Sequence, residues 1–120
     1  MVYKTLIVQS VATEKPIIVI VACDRHLDLK RVAAVAGEKK MKMAKHADAE
    51  AMTGLQVGGI SALMLMDKRW PVYLDKPATE LQHIAISAGQ RGMQLRVPVT
   101  PLLTILKAKI AEVSTEEEQE

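Results

Sequence analysis

Phenylalanine is absent from this 120-residue chain, and one tryptophan and two tyrosines (Trp70, Tyr3, Tyr73) are its only aromatics. The 49% apolar content is ample for one core, but that core must be built from Val, Ile, Leu, Ala and Met. Cysteine occurs once, at Cys23, so no internal disulfide can form and a reducing compartment is expected. Long hydrophobic runs are also lacking. The longest, residues 17–23, is far short of the roughly 20 residues a membrane-spanning helix needs. The first ten residues carry no secretory core followed by a small-residue cleavage site. A soluble cytoplasmic protein with no membrane partner is the expectation. Three histidines stand about 20 or more positions apart, with no Cys-x-x-Cys or His-x-x-x-His pair, so no metal is expected. Walker and dinucleotide glycine spacings are missing too, and no cofactor is expected.

Charge is present in both signs but unevenly. Sixteen bases oppose fourteen acids, and four of those acids (Glu116, Glu117, Glu118 and Glu120) lie in the last five residues. Setting them aside leaves ten acids against sixteen bases. A basic body of that kind suits a polyanionic partner, although such a split also occurs as ordinary solvated surface.

The length and patterning indicate one domain over residues 1–113 and an acidic, disordered tail over 114–120. Residues 4–10 and 16–22 are β-branched and read as a hairpin, the second strand being apolar on both faces and therefore central. Asp28 is placed to cap a helix over 29–36, which Gly37 ends. Residues 39–43 alternate basic and apolar, as in a half-buried strand. A short Ala-rich helix follows over 46–52, with Asp48 and Glu50 on its wet face, and residues 57–61 are too glycine-rich for regular structure. Strands are expected over 70–74, 83–87 and 93–97. Thr100-Pro101 then starts a helix with a capping hydroxyl, directing Leu102, Leu103, Leu106 and Ile110 to the core. Few helices among irregularly spaced strands indicate an α+β fold with a mixed sheet. Cys23 is expected as a buried inert thiol rather than a nucleophile paired with His26. Met41, Met43, Met64, Met66 and Met93 read as core filling, with an adaptable pocket wall as the alternative.

Five of the six glycines fall between Gly54 and Gly92. Thr53-Gly54, Gly58-Gly59-Ile60-Ser61 and Ser87-Ala88-Gly89-Gln90-Arg91-Gly92 are therefore either plain turns or loops that present backbone N–H groups to an oxyanion, carbonyl or phosphate. Lys4, at the edge of an apolar strand, reads on its own as a solvated strand-end lysine.

Taken in order, Tyr3-Lys4-Thr5-Leu6-Ile7-Val8, Asp28-Leu29-Lys30, Thr53-Gly54, Gly58-Gly59-Ile60-Ser61, Val72-Tyr73-Leu74-Asp75 and Ser87 through Leu95 resemble YbaK-like proteins. These are trans-acting aminoacyl-tRNA deacylases related to the editing domain inserted in bacterial prolyl-tRNA synthetases. The resemblance runs from Tyr3 to about Val113. It implies a mixed, partly barrel-like sheet flanked by short helices, and hydrolysis of the ester joining a wrong small amino acid, alanine or cysteine, to proline tRNA. It implies Lys4, Gly58 and Gly59 as the catalytic set, and Ser61, Ala62, Asp75, Ser87, Gly89 and Arg91 as substrate-binding residues. It makes the aminoacylated 3′ end of tRNA the partner, its phosphates bound by Lys39, Lys40, Lys42, Lys45, Lys68 and Arg69.

Two features depart from the family pattern. The loop proline is Ala62 here, which should loosen the loop and alter the accepted side chain. Relatives also carry a few dozen residues before the Lys-Thr-Leu strand that cover the pocket, and this chain starts at that strand. Two alternatives follow: a shortened, non-catalytic module that binds tRNA or protein, and a homodimer formed through the edge left uncovered.

Overall fold

The computed structural model describes residues 1–116. Its frame is the expected hairpin, β1 (Tyr3–Ser10) and β2 (Pro16–Ala22), paired antiparallel from Tyr3 opposite Ala22 to Gln9 opposite Pro16. The turn after β2 leads into the two-residue β3 (His26–Leu27) and then α1 (Leu29–Ala36). Asp28 accepts from the backbone N–H groups of Lys30 and Arg31, satisfying two of the unpaired donors at the helix start, and Gly37 caps the other end. Next come β4 (Met41–Met43), α2 (His46–Thr53), a 3₁₀ segment over Leu63–Lys68, and β5 (Val72–Asp75). A second 3₁₀ turn, Lys76–Glu80, precedes β6 (His83–Ser87), β7 (Gln94–Pro98), α3 (Val99–Leu106), β8 (Lys109–Ala111) and β9 (Ser114–Thr115).

Five strands form one mixed sheet in the order β4-β1-β2-β5-β8. The β4, β1 and β2 pairings are antiparallel, and β5 lies parallel to both β2 and β8. Hairpin β6–β7 folds against the start of β1 through a Val2–Ala85 bridge, and β3 pairs with β9. The partly barrel-like expectation thus meets an open sheet, with no closed barrel among the described residues.

Strand period two explains the core. On β2, Ile18, Ile20 and Ala22 face one cluster with Ile7, Leu74, Ile84 and Leu102, while Ile17 and Val19 face another with Val8, Val32, Met41 and Tyr73. Both faces are covered, so the continuous apolar run of β2 is required rather than an alternating one. Burying Val32 of α1 against the second face contributes roughly 1.5–3 kcal/mol.

Several expectations are corrected. Helix α3 begins at Val99, whose N–H is taken by the Gln82 carbonyl, so Thr100 lies inside the helix and makes no cap. Pro101 is tolerated there because first-turn N–H groups lack helical partners anyway. The helix ends when Lys107 turns left-handed at φ 53°, and Ile110 sits half-exposed on β8 instead of facing the core. Ser114 and Thr115 form β9, so the tail is ordered at its start; residues 117–120 lie outside those described. The first strand lies inside the sheet, with β4 and β8 at the edges, and β4 pairs only with its Val8–Ser10 end. Cys23 is exposed, and of the five methionines only Met41 is buried; Met43, Met64, Met66 and Met93 are exposed. No helix among the described residues is long and apolar enough to cross a membrane.

Candidate active site

A cavity of about 310 Å³ opens where the start of β1 meets the glycine-bearing loops before the first 3₁₀ segment and after β6. Lys4, Gly58 and Ser87, expected from sequence to act together, all line it. Lys4 holds its place through one directed contact, its Nζ donating to the Arg25 carbonyl at 3.2 Å. Beside it Thr5 contributes a buried hydroxyl with no hydrogen-bond partner in the structure.

The first glycine loop is a type II turn. Gly59 N–H donates to the Gln56 carbonyl at 2.8 Å, and Gly58 takes φ +91°, which the third position of that turn requires. Charged side chains hold it on both sides of Val57: Glu50 accepts the Val57 N–H at 2.9 Å, and Arg91 Nε donates to the Val57 carbonyl at 2.8 Å. His46 Nε2 lies 3.2 Å from the same Glu50 oxygen. The Val57 N–H holds the Glu50 carboxyl below the usual carboxylate range, with His46 and Arg91 adding to the effect. Gly59 is a glycine for a different reason: a Cβ there would lie 2.8 Å from the Arg91 nitrogen, so the two loops touch backbone to backbone.

In the second loop, Ser87 Oγ accepts from Gly89 N–H at 3.2 Å, shaping the turn, and Gly89 packs against Met64. Thus Gly59, Gly89 and Arg91 shape the two loops, while Gly58 and Ser87 form the cavity wall.

Three expected site residues lie elsewhere. Ser61 is 1% exposed, its hydroxyl unpartnered like that of Thr5, and it does not line this cavity. Ala62 is buried in the main core, on the wall of a separate cavity of about 610 Å³ beside Trp70 and Leu106. Asp75 is 1% exposed and faces a third cavity, of about 490 Å³. It accepts from Val113 N–H at 3.0 Å and from the Ser114 hydroxyl. Ser114 Oγ in turn accepts from Arg25 Nε at 2.6 Å, and Arg25 lies 3.9 Å from Asp75. Burial, and then the Asp75 charge, push the Tyr3 phenol above its ordinary value.

Residues that sequence reasoning did not assign to the cavity include Thr5, Cys23 and Gln94. Thr5 was within reach, since it follows Lys4 directly; the exposure of Cys23 depends on where β2 ends and was not. Among the described residues no cluster of His, Cys, Asp or Glu could hold a metal ion. What the cavity wall carries is Lys4, backbone at a glycine turn and Ser87, a set suited to polarising a carbonyl.

Comparison with known proteins places the chain in a family. A relative from Enterococcus faecalis (strain ATCC 700802 / V583), EbsC, named as a candidate Cys-tRNA(Pro)/Cys-tRNA(Cys) deacylase, is 35% identical over 97% of this chain and 70% of its own length. The crystal structure of hypothetical protein APE2540 superimposes with a TM-score of 0.86 at 23% identity, covering 95% of this chain and 74% of that one. That of a candidate trans-editing enzyme for prolyl-tRNA synthetase gives 0.85 at 19% identity, covering 95% and 70%. The last two show the shared fold. The aminoacyl-tRNA editing domain matches residues 1–105, and the chain therefore belongs to that family.

Proposed function

We propose that this protein hydrolyses the ester of a small amino acid, alanine or cysteine, misattached to proline tRNA in the cytoplasm. The observation that carries the reading is the convergence of Lys4, Gly58 and Ser87 on one cavity of about 310 Å³. That volume is at the small end of ligand pockets, and it suits an amino acid better than a larger metabolite. The ester carbonyl lies against the glycine turn, where a backbone N–H stabilises charge as it develops on oxygen. Water attacks the acyl carbon, the bond to the ribose oxygen breaks, and that oxygen leaves with a proton as a ribose hydroxyl. A neighbouring ribose hydroxyl assists the water; with a cysteinyl ester the substrate's own thiol can attack instead. Lys4 supplies positive charge to the oxyanion or to the terminal phosphate. Apolar walls exclude bulkier cognate side chains, since pockets reject excess bulk better than they reject a missing methylene. The basic residues outside the cavity, among them Lys39, Lys40, Lys45, Lys68 and Arg69, bind tRNA phosphates with a marked salt dependence.

The test is a deacylation panel of alanyl-, cysteinyl- and seryl-tRNA with the parent chain and Lys4→Ala. Loss of alanine or cysteine faster than in buffer, and dependent on Lys4, is expected. Equal rates for parent, variant and buffer would remove the enzymatic reading.

A further inference from the structure

The Val57–Gly58 peptide lies at the centre of the first glycine turn. A type II turn and a type I turn differ by a flip of the central peptide, which exchanges the directions of its C=O and N–H. Here the central peptide joins Val57 to Gly58, and Gly58 lines the cavity. The turn's own hydrogen bond uses the Gly59 N–H, leaving the Gly58 N–H outside it. In a trans peptide the C=O and N–H point in opposite directions. Whatever fixes the Val57 carbonyl therefore fixes the Gly58 donor as well.

Arg91 fixes that carbonyl. Its Nε donates to Val57 O at 2.8 Å, and its Cγ and Nε run 3.6 Å from where a Gly58 Cβ would stand. Glu50 holds the other end of the same residue through the Val57 N–H at 2.9 Å. Two opposite charges from different elements thus grip one residue of the loop. Plain turns need no such grip, because glycine alone allows the positive φ.

We propose that Arg91, braced by Glu50, is a positioning residue that locks the Val57–Gly58 peptide in its type II orientation, keeping the Gly58 N–H turned away from Arg91 as the donor to the ester carbonyl. The inference rests on the hydrolytic reading of the cavity, and it moves Arg91 from substrate contact to control of the donor. Arg91 acts through the peptide and touches no reacting atom.

The experiment pairs kinetics with amide NMR on the full ¹⁵N-labelled chain. Arg91→Ala is expected to shift the Gly58 and Gly59 amide resonances without substrate, and to lower kcat for cysteinyl-tRNA roughly tenfold or more with KM little changed. Glu50→Ala should weaken the lock in the same sense, and Glu50→Gln should recover most of it, because the side-chain amide oxygen still accepts the Val57 N–H. Gly58→Ala, which disfavours φ +91°, should reproduce the Arg91→Ala kinetics. Unmoved Gly58 resonances in Arg91→Ala would overturn the lock, and so would a loss confined to KM, the mark of an arginine that only binds phosphate. Should the parent chain deacylate nothing, the hydrolytic reading fails on its own, and the Gly58 resonances still decide whether Arg91 holds the peptide.

Discussion

Arg25 separates two polar regions that are built on opposite terms. Its guanidinium enters a cluster in which both Asp75 oxygens have donors, from Val113 N–H and the Ser114 hydroxyl, and Arg25 itself is bound to Ser114. Its carbonyl, on the other side, receives the Lys4 ammonium at the rim of a cavity. There the charged side chains Glu50 and Arg91 grip backbone, and the Thr5 hydroxyl is left without a partner. Satisfied and buried, the Asp75 cluster is a strut that ties β9 to β5. The Lys4 cavity is instead open, with Lys4, the Gly58 turn and Ser87 on its wall. A buried carboxylate is thus a poor pointer to chemistry when both oxygens are already engaged.

This contrast can be broken by substitution. Asp75→Ala would leave the buried Val113 N–H and the Ser114 hydroxyl without their acceptor, and should cost about 1–3 kcal/mol of stability. Urea denaturation measures it, while a catalytic loss in protein that remains fully folded would instead put Asp75 back in the site. Gly59→Ala forces a Cβ onto the Gln90–Arg91 backbone, an overpacking worth about 1–3 kcal/mol. Its loss of deacylation should exceed what the unfolded fraction explains, because both loops shift. Cys23 is exposed on the cavity wall. Native protein should therefore take up a bulky maleimide, seen by mass spectrometry, and the adduct should deacylate more slowly than a small-alkyl adduct. The smallest effect is on pH. Glu50 is held below its ordinary value near 4.5, so its grip on Val57 is complete above that pH and is lost as pH falls through the lower folded value. Val57 amide exchange at matched intrinsic rates should stay protected at pH 5 and lose protection only below about 4.5.

Much of the frame was legible in the sequence because it depends on near neighbours. The β1–β2 hairpin, the continuous apolar β2 and α1 between Asp28 and Gly37 follow from patterning and caps alone. What failed depends on distant partners. Nothing local to Asp75 reveals Ser114, 39 residues on, and nothing local to residues 114–115 shows that they complete a strand with β3. The Thr100-Pro101 pair looks like a helix start, yet the Gln82 carbonyl takes the Val99 N–H and moves the boundary. That Lys4, Gly58 and Ser87 would line one cavity was legible only because the resemblance supplied their order. Nothing local to Ala62 shows that its side chain lies in the main core, on the wall of another cavity.

The central claim is that Lys4 and the glycine turn form a hydrolytic pocket rather than a folded remnant. Single-turnover deacylation of cysteinyl-tRNA(Pro) by the parent chain and by Lys4→Ala, each with its thermal unfolding midpoint, tests it directly. Lys4 is half-buried and makes one hydrogen bond, so the midpoint should barely move while the rate falls about a hundredfold. A parent rate equal to that of buffer, or a variant as fast as the parent, would contradict the account.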